Sequence, residues 1–141
     1  MPPLPFIWFI IQNAIDMTGN MELRVLTERL SICRLGSTDG LDLGKDLYFI
    51  GKTKDEVSLV CPEEDVPSSA TERDDGWRAL MVVGPLDLSL IGILSRITTI
   101  LADNGIGIFA VSTFDTDYIL VREENLERAK DSLRAKGYVI R

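Results

Sequence analysis

IGIFAVSTFDTDYILV, residues 106–121, is the stretch on which the fold turns: two β-rich runs, IGIFAVS and DYILV, joined by the four residues Thr113 to Thr116. Four residues suit a hairpin built on a type I turn. Upstream, Leu90, Leu94, Ile97 and Leu101 recur at spacings of four, three and four, with Ile91, Ile93 and Ile100 widening the stripe. That pattern predicts a helix over about residues 88–103 with a broad buried face, ended by Asn104-Gly105. Before it, WRALMVV alternates apolar side chains and stops at Gly84-Pro85, which is a strand with a terminator.

Downstream, ENLERAKDSLRAKG places Leu126, Ala129 and Leu133 on one helical face, sets Glu124 four residues before Arg128, and ends at Gly137; YVI then closes with a short strand. The order from Trp77 onward is β-α-β-β-α-β. It predicts an α+β, ferredoxin-like unit over residues 77–141, a four-stranded antiparallel sheet with both helices on one face.

The front half reads as a degenerate copy of the same unit. FIGKTKDEVSLVCPEED (49–65) lies without gaps over FAVSTFDTDYILVREEN (109–125), with Phe49, Thr53, Asp55, Glu63 and Glu64 matching Phe109, Thr113, Asp115, Glu123 and Glu124. LSICRLG (30–36) matches ALMVVG (79–84) in alternation and terminal glycine, but the short, polar STDGLDLGKD follows where the second half has a helix. The first copy, residues 21–66, therefore lacks its first helix. PEEDVPSSATERDDG carries prolines, serines and charges that argue for a loop or at most one helical turn, with residues 67–76 as the linker.

The bulk composition removes several function classes. At 141 residues and 45% apolar the chain is globular rather than disordered, and a net charge of −7 with scattered basic residues opposes a nucleic-acid footprint. There is no histidine, hence neither the commonest general base nor the commonest metal ligand. Cys33 and Cys61 lie in apolar strand contexts, LSICRL and VSLVCP, that favour buried reduced thiols and a cytoplasmic setting. The apolar run Phe6–Ile11 is too short to span a bilayer, and no Lys or Arg precedes it as in a signal peptide. Since Met17 and Met21 both follow and the strand pattern starts with MELRVL, residues 1–20 read as an extension from a start codon placed too far upstream; a partner or membrane-surface tag is the alternative.

The polar centre of the hairpin, STFDTD, fits no catalytic pattern. Asp115 and Asp117 sit two apart at a turn, whereas a glycosidase pair flanks its substrate. The DTD triplet lacks the downstream glutamate of a calcium loop, and GPLDLSLIG has neither the Gly-Lys pair nor the following Ser or Thr of a phosphate-binding loop. No metal or cofactor is implied. Ligand binding fits better: the loop Gly84 to Ser89 leads from a strand into a helix, where outward N–H groups and the helix dipole favour an anion such as a carboxylate. Gly84 and Gly92 leave the backbone approachable, and Asp87 offers a counter-charge for an ammonium group. Plainer roles stand beside these: Asp87 or Ser89 as helix N-cap, Asp115 closing an Asx-type turn, Asp117 facing solvent.

With VGPLDLSLIGIL, ADNGIGIF and STFDTDYILV in place, residues 77–141 closely resemble the ACT domain, the small amino-acid-sensing module of aspartate kinases. More narrowly, they are similar to small stand-alone tandem ACT proteins related to the cytosolic arginine sensors. The resemblance implies a non-enzymatic regulatory or sensor protein holding a free amino acid between two paired ACT units. It carries the ligand site onto Gly84, Asp87, Ile91 and Gly92 of the loop and helix start, and onto Thr113, Phe114 and Asp117 of the hairpin. Backbone groups near Leu88 to Gly92 would take the α-carboxylate, and Asp87 or Asp117 an amine or a cationic side chain. Thr113 and Asp115 recur in the first copy as Thr53 and Asp55, as hairpin-building residues would, so Asp115 is left out of the site. The incomplete first copy makes a homodimer the expected source of a missing wall, and without a kinase domain the signal must pass to a separate effector protein. The rival reading is a structural ACT-like dimerisation module with no metabolite ligand.

Overall fold

Strand-forming runs bounded by polar turns dominate the chain, and in the computed structural model, which describes residues 21–83 and 92–141, they become eight strands. These are β1 (Glu22–Val25), β2 (Leu30–Leu35), β3 (Phe49–Lys52), β4 (Val57–Pro62), β5 (Ala70–Val82), β6 (Ile108–Ser112), β7 (Asp117–Arg122) and β8 (Val139–Ile140). Helix α1 (Ile93–Asp103) precedes β6 and helix α2 (Leu126–Arg134) precedes β8, while 3-10 turns occupy Glu63–Asp65 and Glu123–Asn125. The chain divides into a unit of residues 27–78 and a unit joining the chain up to Leu26 with residues 79–141.

In the second of these units the order β5-α1-β6-β7-α2-β8 is the βαββαβ order expected from the sequence. Leu80 and Val82 of β5, Ile97 and Leu101 of α1, Ile119 and Val121 of β7, and Ala129 and Leu133 of α2 bury in one core, so both helices cover the same sheet face. The predicted glycine stop is in place: Gly105 takes φ +70, and the Ile106 N–H reaches back to the Leu101 carbonyl at 2.9 Å. Two points differ from expectation. The sheet is not a four-stranded antiparallel one, because β1 pairs antiparallel with β5 and parallel with β8, so β8 docks on β1. And α1 begins at Ile93, its N-cap Gly92 having φ +88, outside helical geometry; residues 88–91 of the expected helix lie outside the described residues.

The unit of residues 27–78 contains the antiparallel order β3-β4-β2-β5, using residues 70–77 of β5. Cys33, Leu35, Leu59 and Cys61 form its core, with Leu41, Tyr48, Val57 and Val66 packed against them. The helical content of these residues is the single 3-10 turn Glu63–Asp65. Its hairpin repeats the other one: Phe49, Ile50, Gly51 and Lys52 face Val60, Leu59, Ser58 and Val57, while Phe109, Ala110, Val111 and Ser112 face Leu120, Ile119, Tyr118 and Asp117. Every pair recurs at the same positions of the ungapped alignment.

The linker expected over residues 67–76 is instead strand from Ala70 onward, with Ala70, Glu72, Arg73 and Asp74 opposite Leu35, Arg34, Cys33 and Ile32 of β2. Its side chains from Thr71 to Asp75 stay exposed, so backbone pairing rather than an apolar face defines it. The charges are matched locally: Arg73 forks onto both carboxylate oxygens of Asp75 at 3.0 Å, which together with the Ser31 hydroxyl holds that carboxyl below its usual range. Gly76, φ +86, sits where the register with β2 shifts between Leu30 and Ile32, and donates its N–H to Glu63 Oε1 at 3.0 Å. β1, which the sequence places in the first copy, groups with residues 79–141.

Two measurements check this packing. Leu101→Ala, at a fully buried position, is expected to lower unfolding stability by about 2–5 kcal/mol in urea titration. Cys61 is fully buried, and burial, followed by the neighbouring Cys33 thiol, pushes its pKa up to about 12. Its thiolate is then about one part in ten thousand at pH 8, so alkylation is expected to be at least about a hundredfold slower in the native protein than in denaturant.

Candidate ligand site

The β6–β7 turn is built from backbone and threonine hydroxyls. The Thr113 N–H donates to the Thr116 carbonyl at 2.8 Å; the Thr113 hydroxyl donates to the same carbonyl at 3.1 Å and accepts the Thr116 N–H at 3.4 Å. The β3–β4 turn uses the same device, with the Thr53 N–H on the Glu56 carbonyl at 3.0 Å and the Thr53 hydroxyl accepting from the N–H groups of Asp55 and Glu56. Thr113 thus spends its hydroxyl on the turn, in the way its counterpart Thr53 does.

The other hairpin candidates stand on the rim of that turn. Phe114 is 83% exposed at the tip, Asp115 is exposed, and Asp117 is half-buried opposite Ser112 in the last pair of the hairpin. Between them lies a residue that the sequence reading did not single out: Thr116 is buried, and its hydroxyl donates to the Val82 carbonyl at 2.6 Å. Val82 is the last residue of β5, from which the chain runs toward residues 84–91. A signal for Thr116 existed in the repeat, where the matching position is Glu56 and its side chain is exposed.

Gly84, Asp87 and Ile91 lie outside the described residues. Gly92 is within them, as the N-cap of α1, and the Arg96 N–H reaches its carbonyl at 2.9 Å. Among the described residues, a Cβ placed on Gly92 would meet nothing within 4 Å. Asp87 and Ser89, the expected caps, lie outside the described residues, while the N-cap of α1 is Gly92. A glycine there offers no side chain to cap the first amides, and the first turn carries no acidic residue to oppose an anion.

Elsewhere, in the unit of residues 27–78, a cavity of about 380 Å³ is lined by Glu28, Gly44, Lys45, Asp46, Leu47, Pro62 and Asp65. Its one cation is committed: Lys45 Nζ pairs with Asp65 at 3.2 Å, and that hydrogen bond raises the lysine pKa. Among the described residues no group of three or more His, Cys, Asp or Glu side chains is placed to hold a metal, and no helix is long and apolar enough to cross a membrane.

Residues 72–135 match the family model of the ACT domain. Among solved structures, an Agobacterium tumefaciens protein is similar at 34% identity with a TM-score of 0.75, over 86% of this chain and 92% of that one. The aspartokinase α and β subunits align at 18% identity and a TM-score of 0.58, covering 82% of this chain and 97% of theirs. The ligand-free regulatory subunit of aspartate kinase from Thermus thermophilus aligns at 9% identity and a TM-score of 0.60, over 80% and 95% of the two chains. At those identities the two kinase structures speak to the fold alone.

The backbone at the helix start gives a direct check. Gly92→Ala is expected to cost about 1–2 kcal/mol in urea unfolding, because φ +88 crowds a Cβ against its own backbone even where neighbours leave room. Gly107→Ala, also in open space but without a positive φ, is the control and is expected to be close to neutral.

Proposed function

Since residues 72–135 of this chain match the ACT domain family, we propose that it is a non-enzymatic regulatory protein that binds a free amino acid beside the start of α1. The observation that carries this reading is the helix start itself. Gly92 opens α1 at φ +88 and, among the described residues, no atom crowds the place of its missing Cβ and no side chain caps the helix, which suits an α-carboxylate on the first amides. The β6–β7 turn is tied to the end of β5, from which the chain leads to that helix start. Asp117, half-buried at the turn, and Asp87 supply the counter-charge for an ammonium or cationic side chain. Phe114 and Thr113 complete the hairpin side of the pocket.

In this reading the protein works in the cytoplasm as a homodimer whose second copy supplies a wall of the pocket, and it passes its state to a separate effector. The reading of the chain as a dimerisation module without a metabolite draws on Phe114: an exposed aromatic at a turn is also what a docking contact presents. Thermal unfolding against the twenty amino acids separates the two. A ligand at a hundred times its dissociation constant adds about 2.7 kcal/mol of stability, and the shift is expected to vanish in Asp117→Ala with the fold intact. If no amino acid moves the transition at millimolar concentration, amino-acid sensing is ruled out in favour of the dimerisation module.

A further inference from the structure

We infer that Thr116 is the positioning residue of the ligand site, the side chain that fixes the β6–β7 turn against the end of β5. The inference rests on the proposed ligand site for its functional part and on geometry for the rest. The Thr116 side chain is 7% exposed, and its hydroxyl reaches the Val82 carbonyl, thirty-four positions away in sequence, at 2.6 Å. Its own backbone closes the turn, the carbonyl taking both the N–H and the hydroxyl of Thr113. Beside the pairing of β7 with β5 in the sheet, this one side chain therefore joins the turn that carries Phe114 and Asp117 to the strand end that leads to Gly92.

The repeat supplies an internal comparison. The first hairpin has the same register and the same threonine-closed turn, yet at the position of Thr116 it carries Glu56, whose side chain is exposed. Turn closure thus needs only the threonine at the first position, as Thr53 and Thr113 both show. A buried hydroxyl at the fourth position is an addition, and it belongs to the hairpin that carries the candidate site. A donor lost from such a place leaves a carbonyl without its partner and lets the turn move relative to the strand.

The test compares Thr116→Val, which keeps the shape and loses the donor, with Thr116→Ser, which keeps the donor, in the full chain. Amide hydrogen exchange reads the tether without a ligand. In Thr116→Val the amides of Thr113 and Val83 are expected to exchange at least tenfold faster. Those of Val139 and Arg141, which hold β8 on β1, are expected to be unchanged. Thr116→Ser is expected to match the wild type. Equal protection in Thr116→Val, or a loss spread evenly over all strands, overturns the positioning role.

Binding is then read by titrating each of the twenty amino acids. Affinity is expected to fall at least tenfold in Thr116→Val and to be restored within about threefold in Thr116→Ser. Undiminished affinity in Thr116→Val overturns the functional part. Absence of any amino-acid binding in the wild type removes the proposed function, and with it the functional part, while the exchange data still decide the tether.

Discussion

The C-terminal unit depends on a strand that comes from the other end of the sequence. β1 lies between β5 and β8, so the last strand reaches the sheet through it. Three backbone bonds fix that arrangement: Val139 N–H to the Met21 carbonyl, Arg141 N–H to the Leu23 carbonyl, and Val25 N–H to the Arg141 carbonyl, at 2.8 to 2.9 Å. Leu23 is fully buried in the same core as Leu80, Ile97 and Leu133, and Arg141 pairs with Glu22 at the surface. Along the chain, residues 27–78 thus fall between β1 and the last four residues of β5, Ala79–Val82. A sequence read from left to right has no means of seeing the pairing of β1, because MELRVL looks the same whether it pairs forward or with residues more than a hundred positions on.

What the sequence carried well was whatever depends on side-chain period. The buried stripes of α1 and α2, the glycine stop at Gly105 and the β6–β7 hairpin all follow from apolar spacing and local turn chemistry. The ungapped match of residues 49–65 to 109–125 is mirrored pair for pair in the two hairpins and again in their 3-10 turns. What it carried poorly was structure held by the backbone. The strand over Ala70 to Asp75 has exposed charged side chains, so composition argues for a loop while its peptide groups complete a ladder with β2. The start of α1 is likewise set by the backbone. The apolar stripe extends upstream of Gly92, but the left-handed backbone at that glycine ends the helix there.

The candidate site divides along the same line. Thr113 has its hydroxyl engaged in the turn, as Thr53 does in the repeat, so the recurrence that sets Asp115 aside as a hairpin-building residue applies to Thr113 as well. Thr116 is marked in the sequence only by standing where the repeat has Glu56; a buried threonine and an exposed one otherwise read alike until the Val82 carbonyl is seen beside it. The glycine at position 92 combines two properties that serve a carboxylate, a backbone with no Cβ in the way and a helix start with no side-chain cap.

Amino-acid binding by the β6–β7 turn and the start of α1 is the central proposal, and an amide nitrogen–proton correlation spectrum recorded during titration with an amino-acid mixture tests it most directly. The expected result is saturable shifts at Gly92 and from Thr113 to Asp117, with Lys45 to Leu47 of the other cavity unmoved. No saturable shift at Gly92 or the turn, or saturable shifts confined to residues 27–78, would contradict it.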